Sequence, residues 1–179
     1  MARTVANRVG EVYTVKGKQL KIVEYNSKTD VVVEWLDSFH YRTHTTMQHI
    51  RNERVKNPYT VTVNGVGCLG NIDIKVVENG KRNRHYNIWL HMLTRCYDTE
   101  YQRKYSLVEQ VEVCDRWKCF EYFLEDVKQL EGYHEWLESD NMVFDYEIKQ
   151  QYDYDKEVKV YAPDTCMFVN RAVKKMMME

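Results

Sequence analysis

The chain has 179 residues with 26 basic and 27 acidic side chains, which gives a formal net charge of −1. No apolar run reaches the ~18 residues of a transmembrane helix, and the first residues lack the apolar core of a secretory signal. Two prolines, seven glycines and 13 % aromatic residues argue against disorder, so we expect one or two small domains.

The first predicted elements are short β-strands. They are β-branched segments separated by turn-forming residues, and they cover Glu11–Val15, Leu20–Glu24, Val31–Trp35 and Phe39–Thr46. The nearly continuous apolar run of the third strand predicts burial on both faces. Thr46 is a suitable cap for a short helical turn at 47–50. Residues 1–56 are therefore predicted to form a small, barrel-like unit of the SH3-like kind.

Residues 57–82 follow Asn57-Pro58 and contain three closely spaced glycines. We expect a glycine-containing β linker or hairpin here. Its predicted parts are a strand around Val61 and Val63, a turn at Asn64-Gly65, a strand at 72–77 and a turn at 78–80. No Lys-Ser or Lys-Thr pair follows the glycines, so the phosphate-binding P-loop is excluded.

Residues 83–179 are predicted to form an α+β domain with two main helices. The first begins at an Asn83 N-cap, and its apolar face comprises Tyr86, Trp89, Met92, Leu93 and Cys96. The second is expected over 116–130, with Gly132 as its stop. Two strands around a polar hairpin are expected within 142–168, before a C-terminal helical turn.

The five cysteines are odd in number, lack a CxxC spacing and have no export signal, which favours a reducing cytoplasm over a disulfide framework. Cys114 and Cys119, with His91 or Cys96, could supply zinc ligands. The simpler interpretation is that the thiols are small core residues. His40, His44 and His49 are interpreted as solvated surface histidines. We expect neither a resident metal ion nor a cofactor.

Four segments in order resemble a group of bacteriophage proteins related to HNH homing endonucleases. They are KNPY…GVGCLG (56–70), YNIWLHMLTRCY (86–97), VCDRWKCFEYF (113–123) and YAPDTCMFV (161–169). The second matches a Y-x-x-W-x-x-M-x-x-R-C-Y pattern, and the third a V-C-x-x-W-x-x-F-x-x-F pattern. The resemblance implies DNA binding through the Y-x-x-W helix and adjacent strands, in the cytoplasm of an infected bacterium.

The resemblance also locates where a nuclease centre would lie. Active relatives carry an Asp-His pair followed by an asparagine, and the matching stretch here is Phe144-Asp145-Tyr146-Glu147. Tyr146 thus stands where the catalytic histidine is expected. A phenol with a pKa near ~10 is a poor base at neutral pH, and no histidine follows His134. The resemblance therefore implies a degenerate nuclease segment without a complete catalytic site.

The charge distribution indicates which surface would meet DNA. Residues 1–105 carry 17 basic and 10 acidic side chains, whereas 106–179 carry 9 and 17. A basic helix entry suits phosphate contact, and Asn87 or Arg95 could reach base edges. The ordinary alternative is a solvated helix face. The candidate DNA-binding residues are Lys81, Arg82, Arg84, Asn87, His91 and Arg95, with a second patch of Arg51, Arg54 and Lys56.

Two other function classes stay open. The acidic half and the string from Tyr146 to Asp155 suit a protein–protein module that binds a host factor or a virion component. Asp145 and Glu147, on alternate strand residues, could hold Mg²⁺ in an enzyme. The ordinary interpretation of the string from Tyr146 to Asp155 is a polar hairpin tip. The ordinary interpretation of Asp145 and Glu147 is that they are surface acids.

Overall fold

The computed structural model describes residues 7–105, 110–152 and 158–178. The fold is mixed α+β, as predicted, and the chain divides into unit 1, Met1–Tyr59, and unit 2, Thr60–Glu179.

Unit 1 is an antiparallel meander with the sheet order β1-β2-β3-β4. Its strands are β1 (Val12–Val15), β2 (Lys18–Ser27), β3 (Asp30–Trp35) and β4 (Arg42–Thr45). Val31, Val32 and Val33 are all buried, which confirms that β3 packs on both faces. Among the pairings of the described residues, none joins β1 to β4.

The short helix α1 (Met47–Arg51) closes the core of unit 1. The Thr46 hydroxyl accepts a hydrogen bond from the His49 N–H at 3.1 Å, so the predicted cap is confirmed. Met47 and Ile50 then pack into the cluster formed by the strands. The Asn57 side chain ties the end of the unit to the β3–β4 loop by donating to the Asp37 carboxylate at 2.7 Å.

Unit 2 opens with irregular chain instead of the predicted strands. Asn64 and Gly65 form the expected turn at positive φ, but around them only Val63 and Gly67 form an isolated bridge. The strand predicted at 72–77 is wrong. The pairing is limited to a small hairpin of β5 (Val77–Glu78) and β6 (Lys81–Arg82), because Asn79-Gly80 turns the chain there.

Helix α2 (Arg84–Tyr97) is the central element of unit 2. The Asn83 side chain accepts from the N–H groups of residues 85 and 86, as predicted, and Trp89, Met92, Leu93 and Cys96 are buried. The next described elements are α3 (Thr99–Lys104) and β7 (Val111–Val113).

The single helix predicted over 116–130 is wrong, because the chain leaves helical geometry at Cys119. A 3-10 turn (Asp115–Lys118) precedes that residue and α4 (Phe120–Val127) follows it. Cys119 is extended, and its backbone forms an isolated parallel β-bridge with that of Cys68. In this bridge the Cys68 N–H donates to the Lys118 carbonyl and the Phe120 N–H donates to the Cys68 carbonyl. This long-range pairing outweighs local helical periodicity.

The C-terminal region is built from α5 (Tyr133–Glu138), β8 (Met142–Asp145), β9 (Lys159–Tyr161), β10 (Met167–Asn170) and α6 (Arg171–Met178). The prediction of two strands here was incomplete. β8 pairs antiparallel with β10, whereas β9 pairs parallel with β7. Asp145 pairs with Met167 at one end of the β8–β10 pair, whereas α6 begins after Asn170 at the other end, and Lys174 on α6 contacts Asp145.

Gly132 is required where α5 starts. Its φ is +74°, and a Cβ added there would lie 2.2 Å from the Phe168 carbonyl oxygen. Gly80 has the same φ, but a Cβ there would meet nothing within 4 Å. We expect Gly80→Ala to cost about 1 kcal/mol of unfolding free energy from left-handed strain. Gly132→Ala should cost about 1–3 kcal/mol more from overpacking, and equal urea midpoints for the two variants would contradict this.

Candidate functional site

A cavity of about 390 Å³ lies between α2 and the C-terminal elements of unit 2. Three of the predicted DNA-binding residues, Asn87, His91 and Arg95, line it from α2. Their spacing of four residues places them along one side of the helix, away from the buried apolar face. Residues at and after β8 and from α6 line the other side. The structure therefore brings three of the four predicted residues on α2 to one concave site.

Arg95 and Tyr146 form part of the cavity lining. An Arg95 Nη donates to the Tyr146 hydroxyl at 2.7 Å, and the ring of Tyr146 packs on Tyr161 with centroids 4.3 Å apart. Burial alone would lower the pKa of Arg95, but Tyr146 and Tyr161 outweigh it and raise the pKa further, so the guanidinium stays charged. The hydroxyl of Tyr146 is thus held by a cation.

Asp145, Glu147 and Lys174 form an ionic cluster beside the cavity. The Lys174 Nζ lies 2.5 Å from Asp145 Oδ2 and 2.7 Å from Glu147 Oε2. Asp145 is fully buried, and its Oδ1 accepts from the N–H groups of Glu147 and Ile148. Burial acts to lower the pKa of Lys174, but the hydrogen bonds to both carboxylates reverse this and raise it. The ammonium therefore occupies the position between two carboxylates where a divalent cation would otherwise bind.

His91 and Asn87 lie toward the solvent-accessible side of the cavity. Partial burial, with a smaller effect of Arg95, lowers the pKa of His91, which makes the imidazole neutral at pH 7. The ring Nε2 is 3.1 Å from the Tyr101 hydroxyl. The exposed Asn87 amide makes no side-chain hydrogen bond within the ranges that the structure describes. Its donor and acceptor are available to a ligand.

The other predicted residues are separate from this cavity. Lys81 and Arg82 are exposed on β6, beside Asn83. Arg84 has a structural role: its guanidinium donates to the carbonyls of Leu137 and Ser139 and lies 4.1 Å from the Trp136 ring centroid. In unit 1, the side chains of Arg51, Arg54 and Lys56 are exposed in and after α1.

The zinc alternative finds no structural support. Within 7–105, 110–152 and 158–178, no three or more His, Cys, Asp or Glu side chains form a group able to hold a metal ion. Cys119 instead lies beside Cys68 and both thiols are buried. His40 and His44 are exposed and lie near single carboxylates, in agreement with their interpretation as surface residues.

Sequence reasoning missed Lys174. The sequence 171–178 was expected to form no more than a helical turn, and a lone lysine on such a turn carries no functional signal. The alternation of Asp145 and Glu147 did indicate a shared cation, but the sequence alone suggested Mg²⁺. The structure places a lysine ammonium there instead.

His85 makes the stability of unit 2 dependent on pH. Its Nε2 is 2.8 Å from the Tyr133 hydroxyl, and burial, followed by the charges of Lys128 and Arg84, lowers the pKa of the imidazole. A lowered folded pKa gives stability that is complete above the unfolded value of about 6.5 and is lost as the pH falls below it.

We therefore expect the urea midpoint of unit 2 to decrease when the pH is lowered from 7.5 to 5. Replacing His85 by Gln, which can still bond Tyr133, should flatten that dependence. The pKa of His91 is lowered too, so His91→Gln should remove a second part of the pH dependence. The double variant His85→Gln/His91→Gln should therefore show the flattest pH profile. A pH profile unchanged in the double variant would contradict this assignment.

No family model, curated protein or solved structure matches the chain. None of the helices in the described part of the chain is long and apolar enough to cross a membrane.

Proposed function

We propose that this chain is a bacteriophage DNA-binding accessory or regulatory protein, derived from an HNH-endonuclease-like ancestor and lacking a complete nuclease site. It acts in the cytoplasm of the infected bacterium, and its N-terminal unit is a barrel-like module of the SH3-like kind. The observation that carries the DNA-binding part is the exposure of the cations on β6 and in and after α1, and the contact of the Lys174 ammonium with Asp145 and Glu147 supports the lack of a nuclease site.

This contact bears directly on nuclease chemistry. A divalent cation needs oxygen ligands, and the two carboxylates that the sequence offers are already in contact with Lys174. Tyr146 stands where the resemblance places the general base, and its hydroxyl accepts a hydrogen bond from Arg95. A phenol in that state has no means of taking a proton from water at neutral pH. The segment is thus suited to a structural role in the fold.

The DNA-binding part of the proposal depends on exposed cations. Lys81 and Arg82 extend from a hairpin next to the start of α2, and Arg51, Arg54 and Lys56 form the patch of unit 1. Such side chains neutralise phosphates and release counterions, so affinity falls steeply with salt. Base contacts are not needed for this mode of binding.

A fluorescence anisotropy titration with duplex DNA at several salt concentrations tests the proposal. The wild type should bind at low salt, and Lys81→Ala/Arg82→Ala should weaken binding and reduce the salt slope by about 2. Lys104→Ala, which removes an exposed lysine at the end of α3, is the control and should bind like the wild type. No binding to duplex or single-stranded DNA at low salt would refute the proposal.

Plasmid cleavage in Mg²⁺ or Mn²⁺ tests the nuclease part separately. We expect intact plasmid after incubation with protein whose folding has been verified by circular dichroism. Nicking that disappears in Asp145→Asn would show that the carboxylate pair still holds a catalytic metal.

A second candidate function is a module that binds a host or virion protein. It is favoured by exposed apolar side chains on α6, where Val173, Met176 and Met177 are 44 %, 79 % and 46 % exposed. Tyr152 is 75 % exposed, whereas residues 153–157 of the acidic string lie outside the described residues. Capture of the same protein from infected-cell extract before and after nuclease treatment would favour this function over DNA binding.

A further inference from the structure

The α2 residues predicted to read DNA line a concave site. Asn87, His91 and Arg95 border the same 390 Å³ cavity as Tyr146 and Lys174. A helix that reads the major groove of an intact duplex presents its side chains on a convex surface that enters the groove. Here, these side chains border a cavity that has a wall on its opposite side, a geometry that suits a single base better than the edge of a base pair in an intact duplex.

The charges around the cavity select against a phosphate group. The cations of Arg95 and Lys174 are balanced by the carboxylates of Asp145 and Glu147, and the pKa of His91 is lowered so that its ring is neutral. The formal charge of the site is thus zero. A neutral site of this kind favours an uncharged polar ligand over an anion.

The cavity walls also suit a flat ring. Ile88, Met142 and Phe144 are partly buried and line the cavity beside the polar groups. Its volume is within the range of small-molecule sites and large enough for a nucleobase with its sugar. Asn87 offers an amide donor and acceptor side by side, which can pair with the donor–acceptor edge of a base.

From this combination we infer that the cavity binds a single unpaired nucleobase, unstacked from a DNA strand that the exposed cations hold by its phosphates. The inference rests on the proposed DNA binding and specifies its target. An intact duplex must first unstack a base at a cost, whereas a bulged base can enter at a smaller cost. The protein should therefore prefer DNA with an unpaired base over fully paired DNA.

Three duplexes of nearly equal charge test this inference by fluorescence anisotropy: one fully paired, one with a bulged adenine and one with an abasic unit at the bulge. The wild type should bind the bulged adenine about tenfold more tightly than either other duplex. Asn87→Ala should reduce the preference for the bulged adenine from about tenfold to less than about twofold. Asn87→Trp, which fills the entrance, should do the same.

Two control variants separate recognition of the unpaired base in the cavity from phosphate binding by the exposed cations. Gln129→Ala removes an exposed amide outside the cavity and should keep the preference. Lys81→Ala/Arg82→Ala should weaken binding to all three duplexes equally.

Three outcomes would overturn the inference. Equal affinity for paired and bulged duplexes refutes the base pocket but leaves DNA binding intact. Equal affinity for the adenine and abasic bulges shows that only flexibility is recognised, which also refutes the pocket. No binding to any duplex refutes both the pocket and the proposed function.

Discussion

Replacing Lys174 by Met is expected to lower the free energy of unfolding of unit 2 by about 2–3 kcal/mol. The substitution leaves the Asp145 carboxylate, which is fully buried, without the ammonium 2.5 Å away. Breaking an enclosed ion pair costs about 3–5 kcal/mol, and we expect less because the Lys174 side chain is 30 % exposed. Urea unfolding followed by tryptophan fluorescence measures the change.

Two further variants show whether the loss comes from the buried charge. Arg171→Met changes an exposed cation at the start of the same helix and should leave the free energy of unfolding within about 0.5 kcal/mol of the wild type. Asp145→Asn added to Lys174→Met removes the unpaired charge and should recover part of the loss. If the double variant is no more stable than Lys174→Met, the carboxylate is not the cause.

The contribution of Lys174 should be constant across neutral pH. Its folded pKa is raised above the ordinary 10.5, so the stability that it provides is complete below that value and is lost only as the pH rises through the folded pKa. The difference between the wild type and Lys174→Met should therefore be the same at pH 7 and pH 9.

Truncating Trp89 to Ala is expected to cost about 3–5 kcal/mol of unfolding free energy. The indole is fully buried, its centroid is 5.2 Å from that of Phe120, and its Nε1 donates to the Trp117 carbonyl at 2.7 Å. The truncation opens a large cavity and leaves that carbonyl without its donor. A thermal or urea midpoint equal to that of the wild type would disprove the burial.

Milder substitutions separate packing from the hydrogen bond. Trp89→Phe retains most of the ring volume but loses the donor to Trp117, so it should cost about 1–3 kcal/mol. Leu137→Ala, at a side chain 46 % exposed on α5, should change stability by no more than about 0.5 kcal/mol.

Elements whose signals lie within a few residues were predictable from the sequence. Asn83 and Thr46 cap the helices that follow them because a short polar side chain can reach backbone N–H groups two or three residues ahead. The buried face of α2 follows from apolar spacing, and β3 follows from a run of β-branched residues.

Elements that depend on distant partners were not predictable. The helix expected over 116–130 is interrupted because the backbone of Cys119 forms a β-bridge with that of Cys68. The periodicity of apolar residues carries no information on that bridge. β9 joins β7 in parallel for the same kind of reason. In both cases a backbone partner far along the chain overrides the local preference.

The charge balance of the whole chain illustrates the same division. That basic residues concentrate before residue 105 and that α2 has a polar side follows from the sequence alone. That this polar side lines a cavity, and that Lys174 contacts Asp145 and Glu147, is visible in the three-dimensional fold and not in the sequence. The physical reason is that charge is set by composition, whereas the shape and net charge of a site depend on which distant side chains packing brings together.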